Sequence, residues 1–327
     1  MHSAFIFIFA FALQTVVSTK DRAYVDGPLT EDFQNWLQEY GYGGFNFARA
    51  EFGKEGSFGG RTVKGEEVHN PPVVFIHGNA DGALSNRTRY GTGWTSSINA
   101  FLRNRYSSAE LYTTTWGTRR AIDAYGNSNT CSTLLYLRNF IEAVLRYTRS
   151  PKINIIAHSM GVSLARRIIR GGVVNATDGI CNLGLPINEY VDTFLAIAGA
   201  NYGVCRCNGL APQQTPFCNK RDGFWPGDYC GLNFDCSSKY ESCRPTQMSY
   251  SAFLSDMNED GFKEADKVHA FWTLDDEIIG KDNFVFGRPT SHFPSVVYTQ
   301  IYRNLSHVEV KDETASHQVS IITNRGF

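Results

Sequence analysis

The chain carries no excess of either charge: 31 lysines and arginines stand against 32 aspartates and glutamates. That balance points to no nucleic-acid partner and to no strongly charged substrate. After the first residues there is no apolar stretch long enough to span a bilayer, so no integral membrane segment is expected in the mature chain. No internal repeat is visible, and 327 residues permit one large α/β domain or two small ones. No Cys-x-x-Cys pair recurs and no histidine lies between Cys205 and Cys243, so no metal site is expected there. The N-terminus lacks the lysine or arginine that usually opens a secretory signal, although the apolar run behind it is signal-like.

Ala4 to Val17 is apolar apart from Gln14 and Thr15, and too short to cross a membrane comfortably. Val16 and Ser18 satisfy the small-residue rule for cleavage, so residues 1–18 are expected to be a signal peptide and the mature protein secreted and extracellular. Eight cysteines agree with that route: Cys131, Cys181, Cys205, Cys207, Cys218, Cys230, Cys236 and Cys243. Six fall in 205–243, a stretch without clean periodicity that disulfides rather than a core should hold. Cys205 and Cys207 are too close to bridge each other. If the six pair among themselves, Cys131 and Cys181 are left for each other. Sequons at Asn86, Asn175 and Asn304 are candidate glycosylation sites.

Residues 19–70 form an N-terminal extension, with a short helix expected over Leu29 to Tyr40 behind Thr30 as N-cap. From 71 onwards strands and helices alternate. Val73 to Ile76, Glu110 to Trp116, Ile153 to Ile156, Val191 to Ala198, Val268 to Leu274 and His307 to Val310 read as strands. Trp94 to Arg105, Ser132 to Thr148 and the run after Ser159 read as helices. The expected fold is α/β, a mostly parallel central sheet with helices on both faces and a disulfide-rich insertion at 205–243.

The chemistry centres on Ala157-His158-Ser159-Met160-Gly161, a serine between two small residues at a strand-to-helix turn. A tight turn there lifts the hydroxyl to a helix N-terminus, where dipole and free amides favour negative charge. Serine is a weak nucleophile and needs a base, which in turn needs an orienting carboxylate. In an α/β hydrolase these come in the order Ser, Asp, His, each after a strand. Three carboxylates, Asp275, Asp276 and Glu277, end the strand Val268 to Leu274. His317 lies a few residues after the expected last strand and is the expected base, with His307 and His292 less well placed. Backbone amides of Met160 and of Asn79, the latter after Val73-Val74-Phe75-Ile76-His77-Gly78, would form the oxyanion hole.

With Val73 to Asn79, the Ala-His-Ser-Met-Gly elbow, Asp276-Glu277-Ile278-Ile279 and His317 in place, the chain resembles the class 2 lipases, and among them the nematode secreted relatives. The resemblance covers roughly 71–327 and selects Asp276 over Asp275. It implies hydrolysis of carboxylic esters, with acylglycerols at a lipid–water interface as the expected substrates and no cofactor. The insertion 205–243 and the N-terminal extension are additions to the small bacterial members, and the insertion is a candidate cap or lid. A short-chain carboxylesterase, an acyltransferase and a non-catalytic binding protein on the same fold are the alternatives. A base must be neutral to accept a proton, so activity should fall around the ordinary imidazole pKa of about 6.5.

Overall fold

The computed structural model describes residues 25–208, 214–227, 230, 250–280 and 283–324. The expected signal peptide, Cys236 and Cys243 lie outside the described residues. The centre is a seven-stranded sheet in the order β1-β3-β2-β4-β7-β8-β11. Its strands are β1 (Ser57–Phe58), β2 (Val73–Ile76), β3 (Leu111–Thr114), β4 (Ile153–His158), β7 (Val191–Ile197), β8 (Lys267–Thr273) and β11 (Tyr298–Tyr302). Only β1 pairs antiparallel. Two hairpins stand apart from it, β5 (Val173–Ala176) with β6 (Gly179–Asn182) and β9 (Phe284–Val285) with β10 (Arg288–Pro289).

The inner strands are buried along their whole length, which is why they read as continuous β-branched and aromatic runs. Pro71 and Pro72 keep the chain extended before β2, and the Pro72 carbonyl accepts from the Asn154 amide across to β4. Among the helices, α3 (Cys131–Thr148) buries Leu134, Leu137, Phe140, Ile141 and Val144 along one stripe. It packs against α1 (Glu31–Glu39) and α4 (Met160–Arg170), while α2 (Thr95–Arg103) packs against α7 (Ala315–Thr323). Thr30 caps α1 as expected, its hydroxyl accepting from the Phe33 amide. Two short helices complete the set among the described residues, α5 (Ala252–Asp256) and α6 (Glu309–Asp312). Among the described residues no helix is long and apolar enough to cross a membrane.

The extension before residue 71 supplies β1, and Leu29, Phe33, Leu37 and Phe47 join the common core. The last strand is Tyr298–Tyr302, not His307 to Val310, which instead turns into α6. Of the arginines of α4, Arg166 and Arg167 are buried and Arg170 is half-buried. Arg166 is 1% exposed. It is ion-paired to Glu264 at 2.7 Å, hydrogen-bonded to Asn201, Asn258 and the Met257 carbonyl, and placed over the Phe293 ring.

Of the cysteines, Cys131 and Cys181 are joined, tying the start of α3 to the β5–β6 hairpin. Cys205 is joined to Cys230 and Cys207 to Cys218, so neither closes on its near neighbour. Asn175 and Asn304 are exposed, on β5 and in the turn after β11, and Asn86 is half-buried.

Candidate active site

Ser159 sits between β4 and α4 with φ 55° and ψ −128°. A β-carbon is normally excluded from that region, so the conformation is held by its surroundings. Its amide donates to the Ile197 carbonyl of β7, and its carbonyl accepts from Val162. The neighbours must be small. A β-carbon at Gly161 would come within 2.5 Å of the Ile76 and His77 carbonyl oxygens, and one at Gly78 within 2.8 Å of the Ser159 β-carbon. Ala157 is fully buried beneath the turn.

The carboxylates after β8 have separate partners. Asp276 is 2% exposed. Its Oδ1 accepts from the Ile278 and Ile279 amides at 2.9 and 2.8 Å. Its Oδ2 is 2.7 Å from Nδ1 of His307. Asp275 is exposed and accepts from the Asn304 amide at 2.7 Å. Glu277 accepts from the backbone amide of His307 at 2.9 Å. Asp276 is therefore the carboxylate that meets an imidazole, and that imidazole belongs to His307.

His317 does not reach this place. It lies on α7, with Nδ1 2.5 Å from the Tyr302 hydroxyl and its ring against Phe271. The physical reason is the position of the last strand. With β11 ending at Tyr302, the loop after it is 303–308 and carries His307, whereas His317 falls two helices later. The structure brings His307, and not the expected His317, to Asp276.

His158, the residue before the elbow serine, was not singled out by the sequence and holds His307 from beneath. Its Nε2 donates to the His307 carbonyl at 2.9 Å and the two rings lie 4.7 Å apart. Burial keeps His158 well below the ordinary imidazole range, so it is neutral and adds no positive charge beside His307. His77, at the end of β2, is also buried. Burial pushes it down to about 4, its Nε2 accepts from the Trp116 amide, and its ring stacks on Trp116.

Asn79 comes directly after Gly78 in the loop behind β2. Its side chain is committed elsewhere, Nδ2 donating to the Ala124 carbonyl and Oδ1 accepting from Asn127. The Asn79 and Met160 amides have no protein acceptor among the described residues, as expected for Met160 at the first turn of α4. Asp81, two residues on, is bound to Lys311, which is fully buried. Lys311 donates to Asp81 at 2.8 Å, to the Thr92 hydroxyl at 2.9 Å and to the Gly93 carbonyl at 2.6 Å. Burial pushes the Asp81 carboxyl up, but the Lys311 ammonium outweighs it and the group titrates below its ordinary range.

Ser159, His307, Asn79 and Met160 all line one cavity of about 290 Å³. The rest of its wall is largely apolar, with Ile278 and Ile279 from the acid loop and Val204 and Phe224 from the other side. The cysteine-rich insertion contributes Arg206, Phe217 and Phe224, so its described part forms a wall of the cavity. Phe217 packs on Phe224 and edge-on to Tyr125.

The sequence pattern of the family described as Lipase (class 2) matches residues 70–320. The chain belongs to the class 2 lipases. The match takes in β2, the elbow, Asp276 and His307. A comparison with curated protein sequences gave no match. Among solved structures the chain is similar to Aspergillus fumigatus lipase B, at 12% identity and TM-score 0.51, over 83% of this chain and 56% of that one. The chain thus spans little more than half the length of that lipase. A monoacylglycerol lipase from Paleococcus ferrophilus is matched at 12% identity and TM-score 0.44, over 83% of this chain and 98% of that one. The fold is the α/β-hydrolase fold, a mostly parallel central sheet flanked by helices.

Proposed function

We propose that this class 2 lipase is a secreted acylglycerol-type ester hydrolase that works through Ser159, His307 and Asp276. The observation that carries the reading is the 2.7 Å bond between Asp276 and His307 Nδ1 at the wall of the cavity that holds Ser159. A carboxylate accepts only, so Nδ1 carries the proton and Nε2 is left as the base. Ser159 Oγ attacks the ester carbonyl carbon while His307 Nε2 takes the hydroxyl proton. The oxygen of the tetrahedral intermediate is stabilised by the amides of Asn79 and Met160. His307 then returns the proton to the departing alcohol, leaving Ser159 acylated. Water, deprotonated by the same histidine, releases the acid. No cofactor takes part. The apolar cavity suits an acyl chain, and three disulfides suit an oxidising compartment.

An alkyl phosphonate should label Ser159, read by mass spectrometry. His307→Ala should abolish labelling and lower kcat by at least about 10³-fold, while His317→Ala stays within about tenfold of wild type. Unlabelled Ser159 in folded protein, or a greater loss at His317 than at His307, would overturn the assignment. Rates on esters of graded chain length separate the acylglycerol reading from a short-chain esterase.

A further inference from the structure

Arg206 is out of place in an apolar cavity. Of the ionisable groups lining the cavity, Asp81 is held by Lys311 and His307 by Asp276. Arg206 has no carboxylate partner among the described residues. Its Nη2 donates to the Glu277 carbonyl at 3.1 Å, which fixes one edge of the guanidinium beside the loop that carries Asp276. Its other donors meet no acceptor among the described residues, and the side chain is exposed. Its backbone is pinned on both sides, because Cys205 is bonded to Cys230 and Cys207 to Cys218. A planar fork held at the edge of an apolar cavity fits an anion attached to an acyl chain, since arginine pairs with phosphate through two parallel N–H donors.

We propose that Arg206 recognises a phosphate on the alcohol side of the ester, so that acyl esters of phosphorylated glycerol are preferred over neutral acylglycerols. The inference rests on Ser159 as the nucleophile for turnover, but not for binding. The chemistry at the carbonyl is unchanged. The phosphate only adds a charge-assisted contact at the cavity edge.

The binding arm uses Ser159→Ala, which cannot turn over, and calorimetry with octyl phosphate, octanol and inorganic phosphate. Octyl phosphate should bind at least about tenfold more tightly than octanol, and Arg206→Gln should bring that ratio close to one. Arg206→Lys, which keeps the charge but not the fork, should restore part of it. An unchanged ratio in Arg206→Gln overturns the proposal, and so does inorganic phosphate that binds as well as octyl phosphate. In the turnover arm, kcat/KM on phosphatidic acid relative to diacylglycerol in mixed micelles should fall about tenfold in Arg206→Gln. A preference for phosphatidic acid that survives this substitution also overturns it. Failure of both arms in a chain whose Ser159 is labelled by phosphonate removes only the role of Arg206. Octyl phosphate binding without labelling removes the nucleophile and keeps the anion site.

Discussion

At the residue scale, the elbow was the most legible part of the candidate site and His307 the least. Ala157, Ser159 and Gly161 could be read because the turn admits only small neighbours, a steric demand visible in the letters themselves. Asp276 could be separated from Asp275 only by resemblance, and the hydrogen bonds now give the physical ground: Asp276 is buried with three donors, Asp275 exposed with one. His307 was missed because the strand before it was missed. The available signal was Tyr298-Thr-Gln-Ile-Tyr302, an aromatic and β-branched run closed by the turn 303–306. The torsion of Ser159 leads to a prediction at this scale. Ser159→Gly and Ser159→Ala both remove the hydroxyl, but only glycine takes φ 55° without strain. The glycine variant should be more stable than the alanine variant by about 1 kcal/mol, the strain relief exceeding the extra chain entropy of glycine. Urea unfolding of the two measures it, and an alanine variant as stable as the glycine one would refute stored strain.

At the scale of elements, Lys311 joins three pieces of chain. Asp81 belongs to the loop after β2, Gly93 to the turn before α2, and Lys311 to α6, four residues beyond His307. The loop that carries Asn79 and the segment that carries His307 are thereby fixed to each other through one buried ammonium. Removing it leaves the Asp81 carboxylate buried without its counter-ion, a change that costs about 3–5 kcal/mol. Lys311→Met should lose stability on that order, and Asp81→Asn in the same chain should recover part of it, because asparagine still accepts from the Gly82 and Gly93 amides. Denaturant midpoints of the single and double variants decide the matter, with no recovery counting against a paired role. None of this was legible beforehand, since the two partners lie 230 residues apart. The inner strands were legible for the opposite reason: each is buried on both faces and needs no partner to reveal itself. β1 is two residues long and β11 is half-exposed, so neither leaves that imprint.

At the scale of the whole molecule, two buried neutral histidines make folding depend on pH. His77 titrates at about 4 in the folded chain and near 6.5 when unfolded, and His158 is likewise depressed by burial. Between those values the unfolded chain binds more protons, so stability rises with pH. The contribution is fully present above about 6.5 and lost as pH falls through the folded value, amounting to about 3 kcal/mol for His77. Melting temperature should drop by several degrees between pH 7 and pH 4.5, measured by calorimetry at constant ionic strength. A flat profile over that interval would mean that the two rings take up protons as readily in the folded protein as in the unfolded chain.

The way the cavity is assembled bears on how the protein should be produced. Ser159, Asp276 and His307 are carried by the sheet and its loops, whereas Arg206 and Phe217 hang on Cys205, Cys207 and Cys218. Chain made where thiols stay reduced would keep its reactive groups and lose part of its wall. Such a preparation would hydrolyse small test esters normally and long ones poorly, and would pass for a short-chain esterase. The ratio of rates on acetyl and decanoyl esters before and after mild reduction exposes that error, since only the longer substrate should suffer.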